Sequence, residues 1–412
     1  MFCYTQRVKD LLQLAKLLAA FTRERVRRGT LRDWDIRASF ALGHIRGILD
    51  RKPVKDGPVI ATLAITPKCA MDCWHCSQAH RKGKAVDRDV MLGVIDDLVD
   101  MGTSVIAFTG GEPFMCEHLV EYIERVPSPS VAMVFSAGHG LTEEVASRLG
   151  TRSNLSVLVS IDSMDSKEHD RLRGRTGAHV KAMDTLALLK KHRIPHDVST
   201  VVTHDRIRSG EILGFLEKMK GLGIENVQMF QPRPVGKLQG NDDVLLTQAD
   251  EDWMADFARD SGCDRRYPLI LNYPYVESGG VLGCCGGTYR LYMDARGNVR
   301  PCDFCPVSFG NVTEEPLEQA WRKMRDYYAY PRAECFVKRN NRALSEFSED
   351  PVVPAEELEP RDEYLDAKPA YIYEKYGDPG YRFLIKYMYF LSAMFPKIDP
   401  SFSAQQPERE ER

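Results

Sequence analysis

The stretch ATLAITPKCAMDCWHC, residues 61–76, sets Cys69, Cys73 and Cys76 within eight positions, directly behind an apolar run. The run VIATLAIT (59–66) is short, continuous and rich in β-formers, so it reads as a buried strand. The cysteines therefore stand just past the carboxyl end of a strand, with no fourth cysteine nearby.

The pattern repeats down the chain. Strand-like runs recur at SVIAFTG (104–110), VAMVFSA (131–137), LSVLVSID (155–162), DVSTVVT (197–203) and NVQMFQP (226–232). Helical patterns lie between them, at 91–101, 143–149, 180–192 and 211–222. Six β–α units in series imply an α/β fold, with a parallel sheet and right-handed crossovers. Such a sheet gathers its chemistry at the carboxyl ends of its strands. The notable residues follow those ends: the cysteines after the first run, GGEP (110–113) after the second, Ser136 after the third, Asp162 after the fourth.

Composition narrows the class. The chain has 412 residues, 43% hydrophobic, enough for a sizeable core. A formal net charge of −3 gives no global basic field, so nucleic acid is not an expected partner. No signal peptide and no run of ~18–20 uncharged apolar residues is expected. The expected location is cytoplasmic. There the eleven cysteines read as metal ligands before disulfides, and their odd number suits a disulfide framework poorly.

A structural zinc site usually closes with four ligands. An iron–sulfur cubane held by three thiolates keeps one iron free for another ligand. The CxxxCxxC spacing of Cys69, Cys73 and Cys76, with the aromatic Trp74, resembles the signature of the radical S-adenosylmethionine (SAM) superfamily. TGGEP, Thr109 to Pro113, resembles that family's second motif. Two glycines let the backbone approach a ligand closely, and Glu112 adds a carboxylate. The resemblance implies a partial (β/α)6 barrel and a 4Fe–4S cluster on the three cysteines, the catalytic residues. Gly110, Gly111, Glu112 and Pro113 would hold the methionine amino group of SAM. Fainter likenesses add Ser136, Ser160 or Asp162 near the ribose or carboxylate, Arg173 with Gly174, and QPRPVGK (231–237) near the adenine. The implied chemistry is one-electron cleavage of SAM to methionine and a 5′-deoxyadenosyl radical, which abstracts hydrogen from, or adds to, a substrate. An electron donor such as a flavodoxin or ferredoxin is the implied partner.

A second cysteine group lies at Cys284, Cys285, Cys302, Cys305 and Cys335. LYMDARGNVRPC (291–302) reads as a hairpin around a DARG turn that delivers a cysteine. LEQAWRKMRDYY (317–328) reads as a helix. The Gly-x4-Cys hairpin and the CxxC resemble a SPASM or twitch auxiliary-cluster domain, here in the shorter form. The likeness implies a second 4Fe–4S cluster on Cys285, Cys302, Cys305 and Cys335, with Cys284 as a substitute for its neighbour. A four-thiolate zinc site is the competing reading. Cys3, Cys116 and Cys263 read as ordinary small hydrophobes or surface thiols.

The expected division is a helical extension over 1–58, the barrel core over 59–240, barrel closure and auxiliary domain over 241–340, and an acidic linker with an aromatic segment over 341–412. The leucine stripe near the N-terminus and YRFLIKYMYFLSAMF (381–395) read as helices docked on the barrel. The alternative is an interfacial role in peripheral membrane contact. The substrate expected is a small metabolite or lipid precursor. A ribosomal peptide or protein is the alternative, and a non-catalytic iron–sulfur or zinc protein is the rival from another class. The expected reaction type, oxidoreductase or transferase, stays open.

Overall fold

A computed structural model describes residues 57–344, apart from 79–82, 129, 262–263, 265, 279–281 and 341–343, together with 353, 354 and 374. The helical extension expected before residue 57, the segment 381–395, Cys3 and Cys263 lie outside the described residues. Of the expected linker 345–366, only Val353 and Pro354 lie within them.

The six apolar runs become β1 (Ile60–Ala64), β2 (Val105–Thr109), β3 (Val131–Ser136), β4 (Leu155–Ser160), β5 (His196–Val201) and β6 (Asn226–Phe230). They pair in chain order, each parallel to the next. Helices cross between them: α1 (Arg88–Asp100), α2 (Leu119–Arg125), α3 (Glu143–Leu149), α4 (Ser166–Arg173), α5 (Ala178–Lys191), α6 (His204–Arg208) and α7 (Glu211–Gly221). Each has a local cause. In α1, Met91, Val94, Ile95 and Leu98 form one buried stripe at helical spacing. Asp165 starts α4, accepting from the Glu168 N–H at 2.9 Å, and left-handed Gly174 ends it. The strands run apolar on both faces because helices cover one side and a shared interior the other.

The sheet then grows at both edges. After α8 (Gln248–Ser261), β7 (Leu269–Asn272) pairs with β6 and runs into the short α9 (Tyr273–Val276). At the far edge β8 (Arg290–Met293) pairs parallel with β1, and β9 (Val299–Arg300) returns antiparallel to it. The order is β7-β6-β5-β4-β3-β2-β1-β8-β9, an open sheet. This bears out the expected α/β partial barrel, extended by strands at both edges. The turn between β8 and β9 is the expected hairpin. Asp294 Oδ1 accepts from the N–H groups of Arg296 at 2.8 Å and Asn298 at 3.1 Å, and Gly297 takes a φ of 91°.

Beyond the hairpin lie β10 (Val307–Ser308), paired with β11 (Val353–Pro354), then α10 (Leu317–Tyr328) and α11 (Phe336–Arg339). Leu317, Ala320, Trp321, Met324 and Tyr328 form the buried face of α10. Among the described residues no helix is long and apolar enough to cross a membrane.

Candidate active site and auxiliary cysteine site

The loop after β1 carries Cys69, Cys73 and Cys76, and neighbouring strand-end loops grip its backbone. The Gly111 N–H donates to the Thr66 carbonyl at 2.6 Å, and the Glu112 N–H to Lys68 at 2.8 Å. From the other side Asp72 N–H donates to Arg173 O at 2.9 Å, and Trp74 N–H to Leu172 O at 3.1 Å. The Lys237 N–H reaches Cys76 O at 3.1 Å, while its ammonium pairs with Asp72. Two glycines make this grip fit. A Cβ on Gly111 would overlap the Lys68 carbonyl, and one on Gly236, whose φ is 60°, would overlap that of Cys76. The GG pair was expected to approach a ligand. What its backbone presses on is the cysteine loop.

The three cysteines open on one cavity of about 290 Å³. Gly110, Gly111, Ser136, Ser160 and Arg173 line it with them. Glu112, Pro113 and Asp162, expected to touch the cofactor, stand behind its wall. The Glu112 carboxylate accepts from the Ser136 hydroxyl at 2.8 Å, the Ala137 N–H at 2.7 Å and the Phe114 N–H at 3.2 Å. It thereby fixes the turn that presents Ser136. Burial pushes its pKa up to about 7 against these donors. Pro113 opens the short turn Pro113–Met115. Asp162 Oδ1 accepts from Val201 N–H at 3.0 Å, and Oδ2 pairs with Arg173 Nη2 at 2.8 Å. Despite burial, the Arg173 guanidinium and His75 help hold the Asp162 carboxyl down at about 2. Arg173 also reaches Cys73 Sγ with Nη1 at 3.8 Å, opposing the rise that burial gives that thiol. Cys69 Sγ accepts from the Met71 N–H at 3.4 Å. Trp74 carried the sequence resemblance, yet His75 is the aromatic that lines the cavity.

In the second group, backbone pairing decides which thiol faces which. Cys284 and Arg332 form a two-way bridge, Cys284 N–H to Arg332 O at 2.7 Å and Arg332 N–H to Cys284 O at 3.2 Å. That bridge sets Cys284 beside Cys335, and their thiols hydrogen-bond, with Cys302 in electrostatic reach. This hydrogen bond, helped by Arg233, favours the thiolate at Cys335. Cys305 follows Cys302 across a tight turn, its N–H on Cys302 O at 3.3 Å. Cys285 faces Arg290 and Glu277 instead, and its carbonyl caps the turn into β8. Of the two expected alternatives for the fourth thiolate, Cys284 stands beside Cys335 and Cys285 turns toward other neighbours, because adjacent residues in an extended bridge point apart.

The two groups share a wall. Asp303 and Phe304, between Cys302 and Cys305, line the same cavity as Cys69, Cys73 and Cys76. So do Arg290 and Tyr292 of β8, Arg233 after β6, and Phe230, which stacks on Tyr273 at 4.4 Å. Sequence reading flagged Arg233 only within QPRPVGK (231–237) and did not single out the others. Of those, only the position of Phe230 at a strand end could have flagged it.

The nine described cysteines are free of disulfides. Among the described residues no three His, Cys, Asp or Glu side chains converge on one point that a single metal ion could occupy. Three thiols on one loop facing a cavity, and four more brought together behind its wall, fit the cluster chemistry.

The radical SAM superfamily model matches residues 63–228, and SPASM, an iron–sulfur cluster-binding domain, matches 284–344. The AdoMet-dependent heme synthase of Nitratidesulfovibrio vulgaris is 27% identical over 69% of this chain and 85% of its own. The sporulation killing factor maturation protein SkfB of Bacillus subtilis is 26% identical over 66% of each chain. Among solved structures, Streptococcus suis SuiB bound to precursor peptide SuiA superposes with a TM-score of 0.53 at 14% identity, covering 65% of each chain. Native anSMEcpe with bound AdoMet gives 0.51 at 18% identity, covering 65% of this chain and 82% of that one. Two domain matches, placed on the two cysteine groups the fold brings together, identify the chain as a radical SAM enzyme with a C-terminal SPASM domain, domains that imply 4Fe–4S clusters and bound SAM.

Proposed function

We propose that Cys69, Cys73 and Cys76 hold the catalytic cluster, that SAM occupies the cavity beside them, and that the substrate is a small metabolite or lipid precursor. The observation that carries this is the convergence of the three thiols with Gly110, Gly111, Ser136 and Ser160 on one cavity from four strand ends. When bound, the cluster and SAM supply a 5′-deoxyadenosyl radical that abstracts hydrogen from, or adds to, a substrate.

The chain's own residues prepare the site. Arg173 ties the Cys73 thiolate to the buried Asp162, and Glu112 orients Ser136. Phe230, Tyr273, Tyr292 and Phe304 give the wall an aromatic, water-excluding character suited to a compact substrate. In the auxiliary site Cys284, Cys302, Cys305 and Cys335 would hold one further cluster, placed to exchange an electron with the cavity. The enzyme needs a reductant, for which a flavodoxin or ferredoxin is the proposed donor. The proposed setting is cytoplasmic. The resemblance to the Nitratidesulfovibrio vulgaris heme synthase over 85% of its length supports a small-molecule substrate.

A second reading, modification of a ribosomal peptide, draws on relatives such as SkfB and a PqqA peptide cyclase of Granulibacter bethesdensis, 23% identical over 74% of its length. A short precursor-peptide gene beside this one, and a mass change in that peptide, would favour it.

The test is reductive SAM cleavage by the anaerobically reconstituted full-length protein with dithionite, followed by mass spectrometry. Methionine and 5′-deoxyadenosine are expected from wild type, and neither from a variant with Cys69, Cys73 and Cys76 changed to Ala. An iron-loaded wild type that leaves SAM intact would sink the proposal.

A further inference from the structure

Arg233 sits on the loop after β6, three residues before the Gly236 that packs on Cys76. It is 6% exposed and lines the cavity. Among the described residues no hydrogen bond or ion pair is found for its guanidinium. A buried cation needs a counter-charge nearby, or its desolvation goes uncompensated. The groups in its electrostatic reach are Cys335, Glu277, Cys284 and Cys302, in that order of strength. Glu277 already pairs with Arg290 at 3.0 Å. That leaves Arg233 facing three thiols of the proposed auxiliary set.

We propose that Arg233 is the counter-charge of the auxiliary cluster, set in the wall between the two cysteine groups, and that it raises that cluster's reduction potential. This rests on the reading that Cys284, Cys302, Cys305 and Cys335 hold a 4Fe–4S cluster. Four thiolates leave such a cluster net negative, and reduction adds one more negative charge. A fixed cation in a low-dielectric wall stabilises the reduced form more than the oxidised one. Arg233 acts on the cluster's charge from the side that faces the cavity, where an electron from the substrate would arrive. Its role is to tune, and it need not touch substrate.

The test uses the full-length chain with Cys69, Cys73 and Cys76 changed to Ala, so that only the auxiliary site takes iron. Its cluster is titrated by EPR-monitored reduction, alone and with Arg233→Gln or Arg233→Lys added. A parent near ~4 iron per chain establishes the auxiliary cluster, and a parent without iron sinks that reading and this one with it. With iron retained, Arg233→Gln is expected to titrate at a more negative potential, and Arg233→Lys close to the parent. Loss of iron from the Gln variant with retention in the Lys variant supports the proposal as well, since charge separates the two. An unchanged potential in an iron-replete Gln variant overturns it, leaving the guanidinium to an anion in the cavity. Loss of iron from both variants also overturns it, because shape and not charge would then be the requirement.

Discussion

Asp162 Oδ2 stands 2.8 Å from Arg173 Nη2, with both side chains buried, and the same guanidinium reaches Cys73. The ion pair joins the end of β4 to the end of α4 and through it to the cysteine loop. Removing one partner strands the other's charge in the interior. Asp162→Asn is expected to lower stability by roughly 3–5 kcal/mol. Adding Arg173→Met should return much of that loss. Denaturant midpoints of the single and double variants check this, and a double variant as unstable as the two single losses added would contradict it.

The grip on the cysteine loop predicts a glycine contrast. Gly236→Ala drives a Cβ into the Cys76 carbonyl at a left-handed position. Iron bound at Cys69, Cys73 and Cys76 should fall severalfold while the auxiliary iron stays. Gly214, inside α7, has nothing within 4 Å of an added Cβ. Gly214→Ala should keep full iron and gain about 0.5–1 kcal/mol. Iron analysis beside a melting curve for each variant reads both effects.

The buried Glu112 carboxyl makes a pH prediction. Its pKa rises from 4.5 to about 7 on folding, so the folded state binds the extra proton between those values. Its contribution is favourable below pH 4.5 and is lost as pH rises through about 7, on the order of 3 kcal/mol. His75 and His169, both lowered to about 4, slope the other way. The test is therefore the difference between wild type and Glu112→Gln, in which the histidines cancel. Wild type should lose stability relative to the variant across pH 4.5 to 7. Asp162, depressed from 3.8 to about 2, adds nothing there, since its contribution disappears only below about pH 4.

Much of this fold was legible because each of the first six strands is an apolar run ended by a turn, and α1 and α7 carry unbroken helical stripes. The edges were harder. β7 is only the four residues Leu269–Asn272, too short to show a period. The pairing of β8 with β1 joins residues more than two hundred positions apart, which no local pattern encodes. The cysteines and glycines of the site were visible by spacing. What their neighbours do was not. The family resemblance implied cofactor contacts for Glu112 and Asp162. Here backbone donors from the next strand's loop claim Glu112, and Arg173 claims Asp162. Asp303 and Phe304 become neighbours of the catalytic cysteines only when β8 and β9 fold against β1, and Arg233 only when the loop after β6 packs Gly236 on Cys76.

The adjacent cysteines give the sharpest test of the auxiliary site. Cys284 is bridged to Arg332 and hydrogen-bonds Cys335, whereas Cys285 turns toward Arg290 and Glu277. A four-thiolate cluster that loses a ligand usually loses its iron or becomes labile. Cys284→Ala should therefore remove most of the ~4 auxiliary iron per chain, while Cys285→Ala should keep it. Cys285→Ala still empties space at a buried position, so a modest loss of stability, about 1 kcal/mol, is expected with iron intact. Iron and sulfide counts in the background lacking Cys69, Cys73 and Cys76 read the result without interference from the catalytic cluster. Iron lost from Cys285→Ala and kept in Cys284→Ala would reverse the assignment, and with it the geometry that places Arg233 against the cluster.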